Sequence, residues 1–436
     1  MSALARYFKS LGKTVSGYDK TETVLTRALV GEGIQVHYVD DVSLADKNAD
    51  LIVYTPAIPK DHAELNFFVK NYDNVLKRSD VLGLITQNSY NICVAGTHGK
   101  TTTSAMVAHM LRDSGKGCNA FLGGIASNYQ SNFWSSSTNI AVVEADEYDR
   151  SFLKLSPDVA VITAMDADHL DIYGTKAEFE NGFIAFTGRI KPNGLLVYNK
   201  KLSRAIDFDV ENSMSYSVSD TSADCMVQNL EIRNGSYHFD VMVKDEKIIG
   251  FELNMGGVHN VENALAAFVA ARQTGVKDDL LKSGLASFKG VKRRFEYIYR
   301  DRSNIYIDDY AHHPEELKAL IHGAKGLFPD KALTLVFQPH LYSRTRDFAD
   351  GFAEALDMAD DVILLPIYPA RELPIEGVSA ETIARRMKRI KPEIIEKNKI
   401  VETLSARKPA LLVTAGAGNI DTLVEPIKKM LEQHDA

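Results

Sequence analysis

An α/β architecture of three successive parallel-sheet domains is the fold class that this sequence predicts. Three observations carry it. The chain has 436 residues, too many for one ordinary hydrophobic core, so two to four domains are expected. Short apolar runs alternate with helical stretches along the chain, the pattern of strands wound by crossover helices. One strand, glycine turn and helix, at residues 92–111, has the layout of a phosphate-binding loop. Boundaries are placed at 1–88, 89–290 and 291–436. They enclose an N-terminal Rossmann-like domain, a central P-loop domain and a C-terminal Rossmann-like domain.

The N-terminal domain opens with a helix, Ser2 to Leu11, with no strand before it. Strands are expected at Lys13–Asp19 and Asp50–Tyr54, the second leaving through Thr55-Pro56-Ala57-Ile58-Pro59. A fold of this type normally begins with strand, glycine-rich turn and helix. The first strand and its turn are therefore missing from this domain.

The central domain carries the strongest signal. Ile92-Cys93-Val94-Ala95 reads as a strand, Gly96-Thr97-His98-Gly99 as a turn, and Lys100-Thr101-Thr102-Thr103 onward as a helix. Glycines let backbone N–H groups approach phosphate oxygens, and the helix dipole favours the anion there. Lys100 supplies a cation for the β/γ-phosphates and the Thr101 hydroxyl can hold Mg²⁺. ATP is the ligand expected, along Ala95, Gly96, Thr97, His98, Gly99, Lys100, Thr101 and Thr102. The loop is shorter than G-x-x-x-x-G-K-[ST], because Val94 stands where the first glycine would fall.

Further strands are expected at Ile140–Glu144 and Val159–Thr163. Glu144, in Glu144-Ala145-Asp146-Glu147, is a candidate Mg²⁺ ligand, or simply a solvated strand-end carboxylate. Asp166-Ala167-Asp168-His169-Leu170-Asp171 follows the next strand; its His and carboxylates could complete a metal site or merely cap and pack. A β-rich insertion is expected over residues 195–255, then a helix over Val261–Thr274. At that helix's start, His259, Asn260 and Asn263 form an amide-rich turn that could face an adenine edge, although Asn260 could equally be an N-cap.

The third domain has expected strands at Asn304–Asp308, Ala332–Phe337, Asp361–Leu365 and Ala410–Thr414. Lys292-Arg293-Arg294 precedes it as a phosphate clamp or a solvated basic cluster. Asp308-Asp309-Tyr310-Ala311-His312-His313 and Gln338-Pro339-His340-Leu341-Tyr342-Ser343-Arg344-Thr345-Arg346 follow what are taken as adjacent strands. Together they suit a carboxylate and an amine.

Composition narrows the remaining classes. Net charge is −8 without a basic block, which argues against nucleic acid. Cys93, Cys118 and Cys225 are scattered and read as reduced thiols of a cytoplasmic protein. No apolar run reaches the roughly 18–20 residues of a membrane span.

In order along the chain stand GTHGKTTT, EADEYD, DADHLD, HNVENALAA, GVKRRFE, DDYAHHP, QPHLYSRTRDF and TAGAGNI. With these motifs the sequence resembles the Mur ligases of peptidoglycan synthesis, and within them the branch that adds L-alanine to UDP-N-acetylmuramate. The resemblance runs the whole length. It implies an N-terminal domain for the UDP moiety, a central P-loop ATPase and a C-terminal domain for the amino acid. It also implies amide-bond formation through an acyl phosphate, with ATP and Mg²⁺. Lys100, Glu144, His169, His312 and Arg344 would be catalytic, and Thr101, Glu144 and His169 would hold metal. His259 and Asn263 would flank adenine, Arg294 the phosphates and Asp309 the ribose. His312, His340, Tyr342, Arg344 and Arg346 would shape the amino-acid and sugar-carboxylate end. A monomer or weak homodimer is expected.

Two departures stand out. Several relatives carry a carbamylated lysine after DHLD; here that place falls near Phe183, with Lys176 the nearby lysine, and the modification is not expected. A G-x-G-G-x-G loop that the family places just before Met1 is also missing, which points to a start further upstream. Rival readings are a tripeptide-recycling ligase, a folate-polyglutamating ligase and a nucleotide-binding protein without catalysis.

Overall fold

The computed structural model describes residues 1–166, 170–370 and 372–434, with positions 170, 171 and 434 by backbone alone. The chain gathers into two compact units, residues 1–228, 240–251 and 262–288 in one and residues 229–239, 252–261 and 289–436 in the other.

In the first unit the opening helix spans Ser2–Ser10. It lays Tyr7 on Phe121 and Phe133, with ring centroids 5.3 and 6.1 Å apart. Two short parallel pairs follow, Ser16–Tyr18 with Gln35–His37 and Ile52–Tyr54 with Val75–Lys77.

The central ten-stranded sheet runs in the order Glu246–Leu253, Ser236–Val243, Cys225–Arg233, Ser213–Ser217, Leu195–Asn199, Val159–Ile162, Tyr90–Ala95, Ile140–Glu144, Asn119–Ala126, Ser131–Trp134. From Cys225–Arg233 onward the pairs are parallel except the last, an antiparallel hairpin. Ile92, Cys93, Val94 and Ala95 are wholly buried, as a strand covered on both faces requires. Tyr90–Ala95 has Ile140–Glu144 on one side and Val159–Ile162 on the other. The loop leaving it is thus flanked by two further strand ends, where ligands bind in parallel sheets.

The expected insertion over 195–255 is corrected by this topology. Leu195–Asn199 and Ser213–Ser217 extend the parallel sheet, Leu196 lying opposite Ala160 and Tyr198 opposite Ser215. Leu196 and Val197 of the first and Ser215, Tyr216 and Ser217 of the second are buried in the sheet, and the Ser, Asn and Asp turns between them are connections. The later strands Ser236–Val243 and Glu246–Leu253 continue the β-rich stretch. The next helix is Val258–Arg272, three residues longer at its start than expected, so His259 and Asn260 lie in its first turn.

The second unit holds a sheet ordered Glu296–Arg300, Ile305–Asp309, Leu411–Ala415, Leu333–Phe337, Asp361–Leu364, Glu393–Ile394. Only the first pair is antiparallel. Tyr306, Val336, Ile363 and Leu412 form part of its core. Here the strands ending at Asp309 and Phe337 are not neighbours, contrary to expectation. Leu411–Ala415 pairs with both, because a crossover brings the chain back between them. Among the described residues no helix is long and apolar enough to cross a membrane.

Candidate functional site

The phosphate-type loop is held by its two neighbouring strand ends. Gly96 has φ 137°, and a Cβ there would overlap Thr163 Oγ1 and come within 2.8 Å of Ala164 N. Gly99 has φ 83°, and its Cβ would lie 2.5 Å from Asn263 Oδ1. Side-chain-bearing residues rarely adopt such backbone, so both positions call for glycine. Thr97 N–H donates to Ala164 O at 3.1 Å, and the single Thr163 hydroxyl proton lies within reach of both Ala95 O and His98 O. Lys100 opens a helix that runs to Asp113. Its N-terminal amides and dipole face the loop, the arrangement that binds phosphate.

Lys100 Nζ lies 2.6 Å from Gly96 O and 2.7 Å from Glu147 Oε1. Glu147 is almost wholly buried, and the sequence reading gave it no separate role. Its signal was present in Glu144-Ala145-Asp146-Glu147, where a second glutamate follows the first by three residues. Thr101 donates its hydroxyl proton to Glu144, whose Oε2 also accepts from Gly123 N at 2.9 Å. Burial raises the Glu144 pKa, and the Thr101 hydrogen bond and nearby Lys100 oppose that rise. Gly123 is another position missed in the sequence: any Cβ would strike the Glu144 carboxylate.

Thr101 and Glu144 therefore form an oxygen donor pair at the helix start. Mg²⁺ typically takes one or two carboxylates and completes its shell with phosphate and water, so this pair fits. No group of three or more His, Cys, Asp or Glu suited to a metal occurs among the described residues. His169 lies outside the described residues. Phe183, where the carbamylated lysine would fall, is buried against Phe152 and Phe179. Lys176 sits on the same helix and pairs with Glu180 at 3.7 Å.

Asn263 is buried with its amide against Gly99. His259, one helical turn earlier, is exposed, with its ring over Gly257.

In the second unit Arg293 and Arg294 part company. Arg293 is committed to the fold, with Nε 3.2 Å from the buried Asp308 carboxylate and a further hydrogen bond to Gly416 O. Arg294 is exposed and lies over the Tyr310 ring. Asp309 accepts from Phe295 N at 2.6 Å and Ala311 N at 2.7 Å. Burial outweighs those amides and pushes its pKa up to about 6.

His312 and His340 meet at 6.2 Å between ring centroids, although their strands are not adjacent. Burial lowers both pKa values, with Arg344 adding to the effect at each. His312 Nδ1 is 2.9 Å from Tyr310 O, and His340 stacks on Tyr368. Tyr342, Arg344 and Arg346 fall on a short helix, Tyr342–Asp347. Arg344 Nη1 reaches His340 Nδ1 at 3.5 Å. Arg346 instead pairs with its exposed neighbour Asp347.

Glu372 holds this helix start by accepting from Ser343 N at 2.9 Å and from its hydroxyl. Nothing local in the sequence marks it, because the contact spans 29 residues. The Gly416–Gly418 turn lies between the two histidine-bearing segments. A Cβ at Gly416 would lie 2.6 Å from Gln338 O, and one at Gly418 would lie 2.6 Å from Tyr368 Cβ. TAGAGNI is legible as a motif, but this packing is not.

Three family models match the chain: "Mur ligase family, catalytic domain" over residues 1–90, "Mur ligase middle domain" over 94–271 and "Mur ligase, glutamate ligase domain" over 293–418. Curated relatives include the UDP-N-acetylmuramate–L-alanine ligases of Cytophaga hutchinsonii and Christiangramia forsetii. They are 45% and 46% identical to the chain, over 99% of it and 95% of each relative. Among solved structures, the UDP-N-acetylmuramate–alanine ligase of Thermotoga maritima is similar with TM-score 0.83 and 26% identity, covering 100% of this chain and 97% of that one. A murein peptide ligase from Psychrobacter arcticus shares the fold at 22% identity and TM-score 0.66, over 99% and 96% of the two chains.

Proposed function

The chain belongs to the Mur ligase family, and from that premise we propose that it joins L-alanine to the carboxylate of UDP-N-acetylmuramate. The reaction is an ATP-dependent, ADP-forming ligation in peptidoglycan precursor synthesis. The observation that carries this reading is the cradle of Gly96, Gly99 and Lys100, backed by the Thr101–Glu144 pair, in a chain 45% identical to a ligase of that name.

In this mechanism the substrate carboxylate oxygen attacks the γ-phosphorus of ATP and the bond to the β-phosphate oxygen breaks, leaving ADP and an acyl phosphate. The alanine amine then attacks the acyl carbon, and phosphate leaves with the electron pair of the C–O bond. The protein's part is positioning and charge neutralisation. The amides of residues 95–102 and the Lys100 ammonium hold the phosphates. Thr101 and Glu144 would hold a first Mg²⁺ and the family's His169 a second, and the metal would supply charge neutralisation on the phosphate oxygens. Asn263 and His259 take the adenine, Arg294 a phosphate, and Asp309 the ribose through lone pairs left by its two amide donors.

His312, His340, Tyr342, Arg344 and Arg346 receive the amino acid and sugar-carboxylate end. Burial lowers the pKa values of His312 and His340 and so favours the neutral imidazole, whose lone pair can hydrogen-bond the alanine amine and take the proton it sheds after attack. Domain boundaries at 1–88, 89–290 and 291–436 follow the same division of labour. The three cysteines are free and buried, in keeping with a cytoplasmic location.

The test is phosphate release from ATP with UDP-N-acetylmuramate and L-alanine, each also omitted in turn. Release that needs both supports the ligase. Release with a tripeptide in place of L-alanine, and not with L-alanine, would make the recycling activity the function. ATP binding without release would leave a nucleotide-binding protein.

A further inference from the structure

We infer that Glu147 is a positioning residue for Lys100, holding the ammonium so that one donor faces the transferred phosphoryl group. This rests on the reading of residues 96–101 as the ATP phosphate cradle. A lysine ammonium has three N–H donors. Two are engaged, one with Gly96 O at 2.6 Å and one with Glu147 Oε1 at 2.7 Å. The third is left for a phosphate oxygen. Lys100 and Glu147 side chains are 15% and 2% exposed, so the pair is shielded from water and its geometry is fixed by the fold.

The backbone around Glu147 is built to hold it. Asp149 and Arg150, two residues with side chains, take successive φ values of 50° and 63°, a sparsely populated region that persists where surroundings enforce it. The turn is closed by Phe152 N–H to Asp146 O at 2.9 Å and Arg150 N–H to Glu147 O at 3.0 Å. Tyr173 adds its hydroxyl to Glu147 O at 2.6 Å, and Arg150 lies over the Tyr173 ring. The two glutamates of Glu144-Ala145-Asp146-Glu147 thus divide the loop between them. Glu144 serves the Thr101 hydroxyl and Glu147 the Lys100 ammonium.

A carboxylate beside the lysine also opposes a bound polyphosphate. Its contribution falls on the reacting geometry, at some expense in ground-state binding. Glu147→Gln keeps the shape and removes the charge. We expect kcat to fall about 10-fold or more, as misdirected reacting groups produce, while calorimetric ADP affinity stays equal or becomes tighter. A kcat within twofold of the parent overturns the inference. So does a loss of ADP affinity as large as the loss in kcat, which would make Glu147 a prop for the loop. If Glu147→Gln does not fold, Glu147→Asp retains the charge and shortens its reach by one methylene. The same split between lower kcat and unchanged ADP affinity is expected, and the same two outcomes overturn the inference. The parent protein separates the two levels. Failure of the parent to bind ADP would refute the cradle itself, whereas parent binding with an unsplit variant refutes Glu147's role alone.

Discussion

Lys100 and Glu147 form an ion pair whose loss has two consequences at the residue scale. Lys100→Ala removes the cation proposed for the γ-phosphate and leaves Glu147 buried without its ammonium partner. Turnover should fall by roughly 10²–10³-fold or more, measured as phosphate release, and the unfolding midpoint should fall as well, because breaking one half of a buried pair is destabilising. Near-normal turnover would refute the assignment of this loop. Asp309 makes a second prediction, in pH. Its folded pKa of about 6 stands above the 3.8 of an ordinary aspartate, so between those values the folded chain holds a proton that the unfolded chain releases. Stability from this group therefore rises as pH falls from 6 toward 4 and is lost as pH rises through 6. Urea denaturation of the parent and of Asp309→Asn at pH 7 and pH 5 should show the parent gaining on the variant at the lower pH. A difference on the order of 1 kcal/mol is expected, and a parent that loses ground would contradict the sign.

At the scale of elements, the phosphate loop depends on how closely it approaches the strand Val159–Ile162. Gly96→Ala would drive a methyl group into Thr163 Oγ1 and the Ala164 amide, and backbone cannot retreat as a flexible side chain can. We expect a loss of about 2 kcal/mol in stability, in the range of overpacking, with weakened ADP binding. Calorimetry and thermal unfolding check both, and a variant as stable as the parent would mean that the loop relaxes freely. Most strands here were legible because a parallel sheet covered on both faces leaves near-continuous apolar runs such as Ile92–Ala95. Sheet order was not. The sequence places residues 308–314 and 338–346 after successive strands, yet Leu411–Ala415 lies between them, and no local pattern encodes a crossover returning from some 75 residues downstream. The start of the helix Val258–Arg272 was missed for a different reason: Asn260 suggested a cap, but its Nδ2 donates back to Gly256 O from inside the helix.

For the molecule as a whole, the proposed work is divided between the two compact units. The phosphate cradle, Thr101 and Glu144 lie in the first; His312, His340 and Arg344 lie in the second. His340→Ala should therefore leave ADP affinity within about twofold while lowering ligation by roughly 10²-fold, the usual scale for a positioned acid–base group. Calorimetry beside the phosphate-release assay reads both, and an equal loss in the two would place His340 in nucleotide binding. Within the first unit Tyr7 packs on Phe121 and Phe133, a contact between residues more than 110 positions apart that periodicity could not announce.

The sequence by itself determined the α/β class, the strand–glycine–helix layout with Lys100 and Thr101 at the helix start, and a set of ordered motifs specific enough to reach the family. All of these are local: apolar runs, glycines where backbone must turn, and polar residues just past strand ends. Only the tertiary structure decided which strands are neighbours, that Glu147 rather than Glu144 holds Lys100, that Arg293 is committed to Asp308 while Arg294 stays exposed, and that Gly123 and Glu372 support the site. Each depends on side chains far apart in the chain meeting at a few ångströms, or on which of two like neighbours the backbone turns inward. That geometry is set by packing and burial, and no single stretch of sequence contains it.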